Sequence, residues 1–254
     1  MEYKIKKINE YTYLINDEDF CCSFVLVGKN KSLVIDAGFK NKNSLIEEIK
    51  KITKNELVIF ISHGHKDHVG HLNEFDSFYI HKDDYELLDE SLKNKASFFK
   101  DLEVFDFETF KIKVLFNKGH TLGSVIFIDE TSKHIFTGDQ FGSGCGVWMQ
   151  VATATNISTY KQSILYFIDY INKNYTNTEN FKLFPGHIGQ EYTSRLTSYN
   201  PLTFKLIENL AILCDKLLNN EVNFVKYPIS FLNEDAYYTN YKNAEIVVRK
   251  SQIN

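Results

Sequence analysis

The most constraining stretch of this chain is Ser62-His63-Gly64-His65-Lys66-Asp67-His68, which follows the apolar run Leu57-Val58-Ile59-Phe60-Ile61. Five β-favouring residues that end in a small, histidine-rich turn predict a buried strand feeding a loop at its carboxyl end. Imidazoles and a carboxylate crowded into six positions form a nitrogen and oxygen donor set. Such a set suits zinc, iron or manganese better than calcium or magnesium. A lone histidine is usually a surface or satisfied core residue, but four ligand-type side chains at these spacings have no packing purpose.

Local geometry predicts two ions. In extended or loop backbone, His63 and His65 project the same way and can grip one ion. Asp67 and His68, beyond the turn, can aim at a second. Each ion then needs distant partners, expected at the ends of other apolar strands. Three residues meet that condition: His120 after Asn117-Lys118-Gly119, Asp139 after Ile135-Phe136-Thr137-Gly138, and His187 after Phe184-Pro185-Gly186. A glycine precedes each, allowing a tight turn or close backbone approach.

With Asp36-Ala37-Gly38, these motifs resemble the metallo-β-lactamase superfamily, the αββα metallo-hydrolase fold, over most of residues 1–190. The resemblance implies that His63, His65 and His120 hold one metal. It implies that Asp67, His68 and His187 hold the other, with Asp139 bridging. Asp36 could be a ligand, a turn-former or a carboxylate behind the ligands; the resemblance favours the last, orienting a ligand histidine. The implied chemistry is hydrolysis of a small ester, thioester, lactone or phosphoester, with Asp67 as the group that orients water or passes its proton. Zinc is the expected metal, with iron or manganese as alternatives. The nearest branch is the glyoxalase II-like hydrolases, although the tail lacks a glutathione-gripping basic pattern. β-Lactam hydrolysis is disfavoured because that branch usually has Cys or Ser where Asp139 stands. A mononuclear iron persulfide dioxygenase and a metallo-nuclease are the alternatives.

The expected architecture is α/β, a four-layer αββα sandwich of two mixed β-sheets face to face with helices outside. Its 254 residues, 43% hydrophobic and 15% aromatic, supply a sizeable core. Strands are expected at residues 3–8, 11–15, 22–27, 32–35, 57–61 and 78–80, within 103–128, and at 133–136, 181–184 and 244–248. Helices are expected at residues 44–52, 69–75, 82–92, 159–172 and 201–219, the fourth capped by Thr159 and Gln162. One domain is expected over 1–254, with 188–254 as a helical and strand extension.

The remaining signals are weaker. Net charge is −4 without a polybasic run, so no nucleic-acid partner is expected. No apolar run approaches a membrane span and the start lacks a signal-peptide core, so a cytoplasmic protein with a small-molecule substrate is expected. Self-association as a homodimer is left open. The four cysteines form neither a disulfide framework nor a zinc knuckle. His71 is expected to be structural, and His81 and His134 exposed. Ser124 is expected to hydrogen-bond rather than attack. The glycine-rich stretch 140–150 is expected to flap over the site, with Phe141 and Trp148 as an apolar wall; packing under a helix is the alternative for Trp148.

Overall fold

The computed structural model describes residues 3–16, 21–142, 146–187 and 202–253. The first half of the chain builds a seven-stranded mixed sheet, β1 (Lys4–Lys7), β2 (Thr12–Asn16), β3 (Cys22–Val27), β4 (Lys31–Ile35), β5 (Glu56–Phe60), β6 (Phe78–Ile80) and β7 (Ala96–Phe98), in sequential order. Its first four strands are antiparallel neighbours and its last four run parallel. Helices α1 (Leu45–Ile52), α2 (Lys66–Val69) and α3 (Glu90–Lys93) lie in the connections.

The second half supplies β8 (Val104–Asp106), β9 (Lys111–Phe116), β10 (Val125–Asp129), β11 (His134–Gly138), β12 (Val147–Trp148), α4 (Ile157–Asn174), β13 (Lys182–Pro185), α5 (Phe204–Leu218), β14 (Val225–Lys226), β15 (Ala236–Tyr241) and β16 (Ala244–Arg249). Five of these strands form the second sheet in the order β13-β11-β10-β9-β8.

Strand alternation explains the layers. On β3, Phe24 and Leu26 face Phe127 of β10, Phe136 of β11 and Phe184 of β13 in a core between the two sheets. The alternate residues Val25, Val34 and Ile59 pack outward against Leu45 and Ile49 of α1. On the second sheet Ile126, Ile128 and Ile135 pack against Ile164 and Phe167 of α4 and Leu210 of α5. Both faces of both sheets are thus covered, which is the αββα sandwich.

The tail adds a third sheet, β12-β16-β15-β14, that was not foreseen beyond the strand at 244–248. Two residues of the glycine-rich stretch, Val147 and Trp148, pair in parallel with Ile246 and Val247. The tail therefore fixes the segment beside the site. Residues 143–145, and with them Gly144 and Cys145, lie outside the described residues, as does 188–201. The three described cysteines, Cys21, Cys22 and Cys214, are buried.

Several local expectations need correction. The helix expected at 82–92 splits into a 3-10 turn at Lys82–Leu87 and α3, because Leu88 is extended. That at 69–75 becomes α2 plus a 3-10 turn at Leu72–Glu74. Helix α4 starts two residues early, since Asn156 Oδ1 accepts the Thr159 N–H at 2.8 Å and is the actual N-cap. His81 and His134 are buried, not exposed. His134 is on a strand covered on both faces, so alternation brings no solvent to either side. His81 packs edge-on against Phe116 with ring centroids 4.1 Å apart.

Candidate metal centre

The expected donors come from four strand ends in two sheets and converge. His63, His65 and His120 form one group. Asp67, His68, Asp139 and His187 form the other. Two glycines make the convergence possible. A Cβ on Gly138, which has φ +49°, would stand 2.5 Å from Ser62 Oγ, and one on Gly186 would stand 2.5 Å from His68 Cε1. Side chains at either position would push the strand ends apart.

Hydrogen bonds behind the donors set their tautomers. Ser62 Oγ donates to Asp36 Oδ2 at 2.7 Å, so at 3.1 Å its lone pair receives the His63 Nδ1 proton. The Trp148 carbonyl, which can only accept, takes the His120 Nδ1 proton at 3.0 Å. Both Nε2 lone pairs are thereby bare, and both point at His65 Nδ1, at 3.1 and 3.0 Å. Behind His65, Nε2 meets Thr153 Oγ at 2.7 Å. Three imidazole nitrogens at mutual contact suit a cation and little else. Burial, with neighbouring His68 and His65, holds His63 well below its ordinary pKa. Burial and His65 bring His120 down to about 4. These rings stay neutral and free to ligate.

The second group is electrostatically different. His68 Nδ1 donates to Asp36 Oδ2 at 2.8 Å. Among the described residues its buried Nε2 has no hydrogen-bond partner, nor has the buried Asp139 Oδ1, although they stand 3.5 Å apart. Asp139 Oδ2 lies 3.3 Å from His187 Nε2 and 3.7 Å from His120 Nε2, between the two groups. Asp67 Oδ2 is 3.2 Å from His187 Nε2. Burial alone would lower the pKa of His68, yet Asp36, Asp139 and Asp67 raise it well above the ordinary value. His187 is raised likewise, by Asp139 and Asp67 against burial. Asp139 is held well below the carboxylate range by His187 and His68, although burial opposes it. The carboxylates thus concentrate positive charge here, and the orphaned Nε2 and Oδ1 are what a bound cation satisfies. The residues present fit a metal.

The family model for the metallo-beta-lactamase superfamily matches residues 16–187, which contain all seven donors. The chain belongs to the metallo-beta-lactamase superfamily. Among curated relatives, hydroxyacylglutathione hydrolase GloC of Haemophilus influenzae is 29% identical over 143 residues, 48% of this chain and 67% of that protein. A hydroxyacylglutathione hydrolase of Francisella philomiragia is 27% identical over 140 residues, 55% of this chain and 50% of that one. The chain thus spans between half and two thirds of the length of these relatives. Solved structures share the fold. A metallo-beta-lactamase from Pontibacter korlensis aligns with TM-score 0.61 at 17% identity, over 73% of this chain and 91% of that one. The DIM-1 metallo-beta-lactamase aligns at 0.64 and 17%, over 85% and 98%.

In this superfamily member the donors open into a cavity of about 410 Å³ lined by His65, Lys66, Asp67, His120, Asp139, Trp148, Val151, His187 and Phe231. Trp148 is half-buried and in the wall, with its ring 5.3 Å from that of Phe231. Phe141 is not in the wall. It is fully buried and packs 4.8 Å from Phe167 of α4, because the chain turns inward directly after Asp139. His71 is held by Glu74 at 2.7 Å and Tyr3 Oη at 3.0 Å, away from the donors. Ser124 Oγ accepts the Thr121 N–H at 3.0 Å.

Sequence reasoning missed several supports. Thr153 and the Trp148 carbonyl carry no motif. Phe231 is remote in sequence. Buried Asp84 accepts the Gly64 N–H at 2.7 Å, the Gly123 N–H at 2.8 Å and the Thr121 hydroxyl at 2.7 Å. It ties the His63–His65 loop to the His120 loop. Asp83 and Asp84 stand side by side at a helix start, and only the inward turn of Asp84 distinguishes it.

Proposed function

We propose that this chain is a binuclear metal-dependent hydrolase acting on a small ester or thioester. The carrying observation is Asp139, whose Oδ2 faces a donor nitrogen of each group, at 3.7 and 3.3 Å. A carboxylate so placed suits a bridge between two divalent cations, zinc by donor type, with iron or manganese as alternatives. His63, His65 and His120 would hold one ion, and Asp67, His68 and His187 the other. Ions there supply Lewis acidity and bring the pKa of water from 15.7 toward about 7.

The protein's own groups do the rest. Asp67, ionised and at the cavity surface, offers a carboxylate oxygen to orient the attacking water and carry its proton to the leaving group. Asp36, Ser62, Thr153 and the Trp148 carbonyl hold the imidazoles in the ligating tautomer. Trp148, Val151 and Phe231 give an apolar wall for an acyl group and exclude water. Relatives named hydroxyacylglutathione hydrolases support a thioester or ester over a phosphodiester. The small-molecule reading also agrees with the cavity size. No described helix is long and apolar enough to cross a membrane.

The test is metal quantification on purified protein, followed by ester, thioester, lactone and phosphodiester panels. About two ions per chain and turnover of an ester or thioester are expected. A metal-loaded protein that hydrolyses none of them but consumes oxygen with a persulfide overturns this reading in favour of a dioxygenase.

A further inference from the structure

A second groove, of about 340 Å³, adjoins the metal cavity and shares Lys66 with it. It is lined by Phe39, Lys40, Lys66, Asn73, Asp89 and Ser91 among others. Lys40 and Lys66 are exposed, and neither has a carboxylate within ion-pair distance among the described residues. Their positions are fixed by backbone, not by side-chain pairing. The loop carrying Lys40 is bonded to the ligand segment by Ala37 N–H to His68 O at 2.8 Å, Gly70 N–H to Gly38 O at 2.8 Å and His71 N–H to Ala37 O at 3.1 Å. The approach is so close that a Cβ on Gly70 would stand 2.2 Å from the backbone nitrogen of Lys40. Lys66 begins α2, between the donors His65 and Asp67. Both lysines are therefore carried on backbone registered to the metal centre.

We propose that this groove is the subsite for a charged arm of the substrate: a carboxylate on the leaving-group side of the ester or thioester, held between Lys40 and Lys66. The assignment rests on the hydrolase reading of the neighbouring cavity. The apolar wall of Trp148, Val151 and Phe231 faces the same cavity and takes the acyl side, leaving the groove beyond Lys66 for the departing half. Two ammonium groups at one groove attract an anion, and its polar lining, Asn73 and Ser91, offers hydrogen bonds to the same group. Asp89 is the one carboxylate in the lining, so a single negative charge fits better than two.

The test compares two acetyl thioesters that differ only in the arm, one of 3-mercaptopropionate and one of 2-mercaptoethanol. The metal-loaded protein should prefer the carboxylate by kcat/KM, and the preference should shrink as salt is added. Lys40→Gln and Lys66→Gln should each lower the carboxylate-to-neutral ratio about tenfold. Asp89→Asn should raise it, by about threefold. A readout independent of turnover is an NMR titration of zinc-loaded protein with 3-(methylthio)propionate. Shifts should centre on the amides of Lys40, Gly70 and Ser91 and vanish in the double lysine variant. An unchanged ratio in both lysine variants, or shifts that persist in the double variant, overturns the subsite. If neither thioester is turned over, the substrate panel decides the hydrolase reading, and the titration alone decides the groove.

Discussion

The carboxylate of Asp36 reaches His68, 32 positions further along the chain, with Oδ2 2.8 Å from Nδ1, while its Oδ1 accepts the Ser62 N–H at 2.7 Å. One buried side chain thus holds a ligand histidine and the strand end that delivers two others. It does so from φ +61°, a left-handed conformation that aspartate and asparagine tolerate better than most residues. Asp36→Asn should keep the fold and lower metal affinity about 10- to 100-fold, since the neutral amide supports the imidazole less well. Asp36→Ala should in addition lose about 2–4 kcal/mol of stability, as Ser62 is left with unsatisfied buried donors. Metal titration and denaturant unfolding of the two variants check both parts; full metal affinity in Asp36→Asn would sink the idea.

His120 and Asp67 separate ligation from proton handling. His120→Ala removes one of three converging nitrogens and should cost at least one bound ion by elemental analysis. Asp67→Asn keeps an oxygen donor but is a far poorer proton acceptor, so turnover should fall about 10²- to 10⁴-fold with metal retained. Full turnover in Asp67→Asn with two ions bound refutes its role as base.

Trp148 acts twice, through its ring in the cavity wall and through its carbonyl on His120. Only the ring is lost in Trp148→Ala. Its expected effect is a raised KM with metal content unchanged, because the backbone contact survives on β12. Kinetics alongside elemental analysis decide this, and unchanged kinetics with a lowered melting temperature would assign the ring to packing alone.

Asp84 joins two ligand loops through three hydrogen bonds while touching no donor. Asp84→Ala leaves two buried N–H groups unpaired, while the Thr121 hydroxyl keeps Ser124 Oγ at 3.0 Å, and should destabilise the protein by about 2–4 kcal/mol. Chemical denaturation measures it; a change below about 0.5 kcal/mol would mean that the loops hold without it.

His134 gives the pH dependence of folding a defined sign. Burial lowers its pKa from 6.5 to about 4, and its Nδ1 lacks a partner among the described residues. Between those values the unfolded chain binds the proton and the folded chain does not, so stability falls as pH drops from about 6.5 toward 4. Melting temperatures at pH 7 and pH 5 should differ less in His134→Gln than in the parent. The metal ligands are common to both proteins, so the difference between the two proteins is the measure. Equal slopes would remove His134 from the account.

The candidate donors and the two-sheet core are legible in the sequence. Histidines and aspartates stand directly after β-favouring runs, and a strand that ends in a donor must deliver it to the sheet's carboxyl edge. Phe24, Phe127, Phe136 and Phe184 sit at alternate positions that can meet only between two sheets. Tertiary structure alone decided the surroundings. Phe141 and Trp148 are seven positions apart in one loop, yet one goes under α4 and the other to the cavity, because β12 pairs with β16 at the far end of the chain. His134 is buried because both faces of its sheet are covered, which alternation within one strand does not encode. Lys40 reaches the metal centre's flank through backbone bonds to His68 and His71, and peptide groups carry no residue-specific signal. Side-chain chemistry and period are local and legible; pairing partners distant in sequence are chosen by the free energy of the whole packed chain.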